Sequence, residues 1–340
     1  MSELQGDIGY LKKDLKSCKL CEWRCGANRL EGELGVCGIT IPEVASSQLH
    51  PAPPASFDAF MTGCSFRCLS CQNWPVANYP ANDHCSIIEG YYDPAEWAEL
   101  ALTALSSPAA ALMGADRLFF TGGEPTCSLP WVEAVVGAAR SRKDGTKVNF
   151  DTNGYMTMDS LKRILEFADS MTFDIKAFDP GLFSALTGAD AEFVLRNAEH
   201  IAKKAPEKIW EFRILVIPGI SDDDLIGLCD FIASIDPGLP VNFLAFRPNF
   251  AMVEHPWTPK KYMERCVEAA RIIGLENVSW SGRTKGELPI GTAAVNRSAE
   301  RAVMDYALSN GCVQKEHRNC GRCKNKNKCQ LKRYQPGKLN

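Results

Sequence analysis

"FDAFMTGCSFRCLSCQNW", residues 57–74, is the stretch that decides how the chain is read. Its first seven residues, rich in apolar and aromatic side chains and closed by glycine, have the composition of a buried strand. Cys64, Cys68 and Cys71 follow at once, in C-x3-C-x2-C spacing. Three thiolates so spaced can hold three irons of a cubic four-iron, four-sulfur cluster and leave the fourth iron without a protein ligand. That is poor design for pure electron storage, but it offers an exogenous molecule a coordination site on a redox centre. Zinc held by the same cysteines and a distant histidine, His50 or His84, is the alternative on this motif alone.

Outward from this stretch, β-rich runs alternate with helical ones. Strands are predicted at 57–63, 116–122, 147–154, 170–178, 209–219, 241–248 and 277–282, and helices at 94–105, 128–142, 160–168, 191–204, 223–235 and 260–274. Parallel strands joined by crossover helices give an α/β fold, and six or seven such units suit a partial (β/α)6 barrel. Chemistry then gathers at the carboxyl ends of the strands. The special residues obey that rule: the cysteine loop follows the first strand, Gly122-Gly123-Glu124-Pro125 the second, and Asp151-Thr152-Asn153-Gly154 closes the third. Asp174 and Lys176 close the fourth. Residues 1–55 form a cysteine-rich segment ending in the turn-rich linker HPAPPAS, residues 56–285 the barrel, and residues 286–340 a second cysteine-rich extension with one helix at 298–310.

The chain has 340 residues, 45% hydrophobic and 23% charged, and a net charge of −3. Nothing in that balance draws the whole molecule to nucleic acid or anionic lipid. The N-terminal residues carry no apolar signal region, and no run reaches the roughly 18 apolar residues of a membrane span, so the protein reads as cytoplasmic. In a reducing compartment, its fifteen cysteines are metal ligands or redox groups before they are disulfides. Eleven fall into three groups: Cys18, Cys21, Cys25 and Cys37; Cys64, Cys68 and Cys71; and Cys312, Cys320, Cys323 and Cys329. Cys85, Cys127, Cys229 and Cys266 are scattered. Cys229 and Cys266 sit on helical stretches and read as small buried hydrophobes.

GCSFRCLSC followed by GGEP resembles the paired signatures of the radical S-adenosylmethionine (radical SAM) superfamily. CQNW (71–74), DTNG (151–154), FDIK (173–176) and RILVIPGISDD (213–223) are similar to blocks of its pyruvate formate-lyase activating enzyme and AmmeMemoRadiSam branches. The resemblance implies that the open iron chelates S-adenosylmethionine and that GGEP lines up its amino group. It implies that one electron from the cluster yields a 5′-deoxyadenosyl radical, which abstracts hydrogen from an unactivated C–H bond. By the same resemblance Gly122, Gly123, Glu124, Asp151, Asn153, Asp174, Lys176, Arg213 and Arg247 surround the cofactor, with Asp151 on ribose and Lys176 on carboxylate. Asp151, Thr152 and Asp174 resemble a monovalent-cation site; an ion pair at the strand end is the other reading of Asp174 and Lys176. One position departs from the pattern: LAFRPNF (244–250) puts Arg247 or Asn249 where the activating enzyme has histidine near the adenosyl group.

Each terminal group is a complete set of four thiolates, enough to close an auxiliary iron–sulfur cluster or a zinc site. Around the C-terminal set stand Lys315, Arg318, Arg322, Lys324, Lys326 and Lys328, cations that can offset the charge of a thiolate centre. The resemblance implies a peptide or protein substrate, hydrogen abstraction at a backbone Cα, and an electron donor such as ferredoxin or flavodoxin. A glycyl-radical activase and a C-methyltransferase using cobalamin are the alternatives, although the chain has no Asp-x-His-x-x-Gly cobalamin loop. From another class, a zinc-stabilised nucleic-acid module would make all three cysteine groups structural, but it leaves the three-ligand centre unexplained.

Overall fold

A computed structural model describes residues 8–81, 88–287, 298–326 and 328–333; Cys85 and His84 lie outside the described residues. The chain divides into two compact units, one made of residues up to 65, 75–152 and 156–170, the other of 66–74, 153–155 and 171 onward.

In the first unit, β1 (Val44–His50) runs antiparallel to β2 (Ser56–Met61), which pairs in parallel with β3 (Arg117–Gly122), and β3 with β4 (Lys147–Thr152). Three helices alternate with them: α1 (Pro94–Leu105), α2 (Leu129–Arg142) and α3 (Met158–Phe167). The start of α1 is written locally. Asp93 accepts a hydrogen bond from the Ala95 amide at 2.8 Å, and Pro94 takes the first helical position, where no amide is needed. Its Trp97, fully buried, lies 5.6 Å from the Phe57 ring on β2, 5.7 Å from Phe120 on β3 and 5.6 Å from Trp131 on α2. Burying such a side chain contributes roughly 2–3 kcal/mol and fixes the helix over the strands.

The second unit repeats the scheme with β5 (Ser170–Ile175, its first residue shared with the other unit), β6 (Ile209–Val216), β7 (Val241–Ala245) and β8 (Val278–Ser281), parallel in that order. Its helices are α4 (Pro180–Thr187), α5 (Ala191–Lys204), α6 (Asp222–Ile235), α7 (Lys260–Ile273) and α8 (Ala299–Ser309). Phe173 on β5 meets Phe212 on β6 edge-on at 5.7 Å in its core. α8 packs on α4, where Gly181 leaves room for the Glu300 carboxylate.

Every expected strand and helix is present, with ends shifted by a few residues. Besides the short helical turns Lys12–Leu15, Trp74–Ala77 and Pro108–Met113, two further elements differ from expectation. The stretch read as a linker, residues 50–56, is the connection of a hairpin, because Val44–His50 is a strand; its sequence VASSQLH alternates weakly, as befits an edge strand whose outer side faces no core. The unforeseen α4 is short, started by the Asp179 side chain at 2.8 Å from the Leu182 amide and ended by Gly188 in left-handed conformation at φ +76°. No helix among the described residues is long and apolar enough to cross a membrane.

Candidate active site

In the first unit the turn after β3 is built backbone against backbone. The Gly123 amide donates to the Met61 carbonyl at 2.8 Å and the Glu124 amide to the Gly63 carbonyl at 2.9 Å, so GGEP is fastened to the residue just before Cys64. Only glycine fits at two of these positions. Gly122 has φ +107° with the Met61 backbone where a Cβ would stand, and a Cβ on Gly123 would fall on the Gly63 carbonyl. The Glu124 carboxylate is buried and accepts from the Thr126 amide at 3.0 Å and the Thr152 hydroxyl at 2.8 Å. Asp151 accepts from the Thr121 hydroxyl at 2.6 Å, a contact that aligns the ends of β4 and β3. Cys64 is buried, and its amide donates to the Cys37 carbonyl at 3.2 Å.

The second unit holds Cys68 and Cys71. Amides of Arg67 and Leu69 donate to the carbonyls of Thr187 at 2.8 Å and Leu186 at 3.0 Å, which moors this part of the loop on the last turn of α4. Lys176 and Asp174 pair at 2.5 Å, and Arg213 on β6 adds a second bond to Asp174 at 2.6 Å. The strand-end ion pair expected as one reading of Asp174 and Lys176 is thus present, enlarged by Arg213. Burial opposes ionisation of Asp174, yet the charges of Arg213 and Lys176 outweigh it and hold the carboxyl down at about 2. Asp174→Asn is therefore expected to remove the charge that Lys176 and Arg213 share and to cost about 3 kcal/mol, measured as a fall in the denaturant midpoint.

Both thiols here are pushed upward by burial, Cys71 to about 12, while Lys176 pulls each of them down; Arg318 acts on Cys68 and Arg67 on Cys71. Metal binding would displace their protons, and the adjacent cations favour the resulting thiolates. Asn249 donates to the Ser70 carbonyl at 3.2 Å, between Cys68 and Cys71, while Arg247 is exposed; of the two residues named for this position, Asn249 meets the cysteine loop. Asn153 accepts from the Tyr155 amide at 3.0 Å and so shapes the turn after β4.

Two buried arginines escaped the sequence reading. Arg318, one of six cations noted in the C-terminal tail, is fully buried and donates to the carbonyls of Ala185 at 2.5 Å and Arg67 at 2.7 Å, with Cys320 sulfur at 3.8 Å. Arg29, in the N-terminal segment, donates to the Thr40 and Cys127 carbonyls, both at 2.7 Å, with Cys18 sulfur at 3.7 Å. Their burial depends on partners far along the chain, Cys127 for Arg29 and Ala185 and Arg67 for Arg318. Cys127, scattered in sequence, packs with Cys37 and Ile39. Cys18, Cys21 and Cys37 are buried and Cys25 exposed, whereas Cys312, Cys320, Cys323 and Cys329 are all half-buried. Among the described residues no three histidine, cysteine or acidic side chains are placed to bind a single metal ion. A cluster asks for something else, since each of its thiolates takes a different iron. By its chemistry the C-x3-C-x2-C set of Cys64, Cys68 and Cys71 suits such a cluster, each thiol being a ligand of the right softness, and within the first unit the glycine cradle at Gly122 and Gly123 admits backbone where side chains could not go.

Comparison with known proteins shows the family. The Radical SAM superfamily model matches residues 59–232. An uncharacterized protein of Methanocaldococcus jannaschii is 26% identical over 297 residues, 85% of this chain and 82% of that protein. The isethionate sulfite-lyase activating enzyme of Nitratidesulfovibrio vulgaris is 29% identical over 104 residues, 31% of this chain and 33% of its own. A crystal structure of a domain of pyruvate-formate lyase-activating enzyme from Bacteroides vulgatus aligns with TM-score 0.40 and 19% identity, over 48% of this chain and 98% of that one.

Proposed function

Because the chain belongs to the Radical SAM superfamily, we propose that it is an enzyme that cleaves S-adenosylmethionine reductively and abstracts hydrogen from a peptide or protein substrate. The observation that carries this reading is the hydrogen bond from the Glu124 amide to the Gly63 carbonyl at 2.9 Å, which joins GGEP to the residue ahead of Cys64. When bound, a four-iron cluster on Cys64, Cys68 and Cys71 supplies the electron that breaks the sulfonium carbon–sulfur bond. The chain's own residues bind and orient. Gly122 and Gly123, lacking side chains, would leave the backbone open to the cofactor, Asp151 would suit its ribose hydroxyls, and Lys176 would suit its carboxylate as a point charge.

The protein substrate is supported by the relatives named as activating enzymes, whose names say that they act on another enzyme. A glycyl-radical activase is the narrower form of this reading, and C-methylation with cobalamin its alternative. The family match sets aside the zinc-stabilised nucleic-acid module. The four-cysteine sets at either end are proposed as auxiliary metal sites, with electrons drawn from a ferredoxin or flavodoxin.

Anaerobic reconstitution followed by dithionite tests the core reading: 5′-deoxyadenosine forms if it is right, and a chain that binds iron yet leaves S-adenosylmethionine intact would sink it. Mass spectrometry of co-expressed candidate proteins, with and without this chain, then identifies the product. Lys176→Met is expected to weaken S-adenosylmethionine binding about 10- to 100-fold, the worth of one charged hydrogen bond, read by equilibrium dialysis. Cys323→Ala is expected to retain some cleavage uncoupled from substrate modification, seen as 5′-deoxyadenosine without product.

A further inference from the structure

The N-terminal segment supplies four cysteines, but the fold brings a fifth to them. Cys127, on the turn after GGEP, is 3% exposed and packs against Cys37. Cys25 and Cys37 flank Gly35 so closely that a Cβ there would lie 3.3 Å from each sulfur. Cys18 stands 3.7 Å from Arg29, and Cys21 lies within electrostatic range of Cys25, Cys37 and Cys127. All these residues belong to the first unit.

Arg29 gives an independent sign of what the group holds. Its guanidinium is 1% exposed, and its hydrogen bonds go to two carbonyls and the Cys18 sulfur. Nη2 has no partner at all. A buried cation without a carboxylate is costly unless some other negative charge lies beside it. Thiolates on a metal centre are that charge, because metal binding removes their protons. Five sulfurs exceed the four ligands of tetrahedral zinc, and among the described residues no three histidine, cysteine or acidic side chains are grouped around a single ion.

We infer that Cys127 is a member of the N-terminal metal centre, able to serve in place of Cys25 as the fourth thiolate of an iron–sulfur cluster beside Cys18, Cys21 and Cys37, with Arg29 as its buried counter-charge. The inference rests on the reading of the N-terminal cysteines as metal ligands. It makes the centre a staple between the N-terminal segment and the turn that carries Glu124.

The test counts iron, labile sulfide and zinc in the full chain reconstituted anaerobically with ferrous iron and sulfide. Cys25→Ser and Cys127→Ser alone each leave four thiols and are expected to keep the wild-type count. The double variant is expected to lose one centre, about four irons. Cys25→Ser combined with Cys229→Ser, which removes an equally buried thiol elsewhere, keeps the full count and shows that folding is not the cause. Loss of the centre in Cys25→Ser alone, or a double variant as rich in iron as wild type, overturns the role of Cys127. A loss of zinc instead of iron overturns the cluster. An unchanged count in Cys18→Ser/Cys21→Ser overturns the underlying reading that these thiols bind metal, and the inference with it.

Discussion

Cys68→Ala is expected to abolish 5′-deoxyadenosine formation, a fall of at least about 1000-fold, or roughly 4 kcal/mol of barrier. It is also expected to lower bound iron by about four per chain. With three cysteines in the motif, no spare ligand stands in for a lost one, in contrast to the five-thiol group at the N-terminus. The effect is separable from unfolding. In the metal-free chain burial already pushes the Cys68 thiol toward its neutral form, so alanine removes a small, uncharged side chain. The thermal midpoint of the metal-free variant should therefore stay close to wild type, with a stability change within about 1.5 kcal/mol. A Cys68→Ala protein that still cleaves S-adenosylmethionine at a comparable rate would remove this thiol from the active site.

Gly123→Ala carries the second largest expectation. The added methyl falls on the Gly63 main-chain carbonyl, and a Cβ has no rotamer by which to escape it. Either the Glu124 amide leaves that carbonyl or the turn ahead of Cys64 moves. Ordinary overpacking costs about 1–3 kcal/mol, and a methyl driven into a main-chain carbonyl should reach or exceed the upper end. A loss of about 3 kcal/mol in denaturant stability is expected, with a drop of about 100-fold in cleavage rate as the cysteine turn is displaced. Gly137, which has open space at its Cβ position, is the control: Gly137→Ala should be neutral or slightly stabilising, because it lies inside α2. Equal tolerance at both glycines would show that the close approach after β3 does not matter.

The parts of the molecule legible in the sequence are those whose signal is local. Runs such as IWEFRILV and VNFLA mark strands by composition, and AEFVLRNAEHIAKK marks α5 by its spacing of apolar residues. GGEP and the C-x3-C-x2-C loop could be placed at strand ends for the same reason. What escaped was set by distant partners. Nothing near Cys127 shows that Cys37 will pack on it, and Arg318 looks like its neighbouring lysines until Ala185 and Arg67 offer it carbonyls. β1 escaped for a third reason: Val44–His50 has little apolar alternation, and its pairing with β2 supplies what its side chains do not.

That hairpin bears on solubility. β2 is bonded to β3 along one side and to β1 along the other, so β1 occupies backbone donors and acceptors that would otherwise face outward. A chain shortened to begin after His50 would present a bare, largely buried-type strand, SFDAFM, to any other chain. Such unpaired edges template sheet-to-sheet aggregation. The cysteine-rich N-terminal segment thus continues into a guard rail for the central sheet, and removing it along with its thiols should yield precipitate before it yields an inactive enzyme.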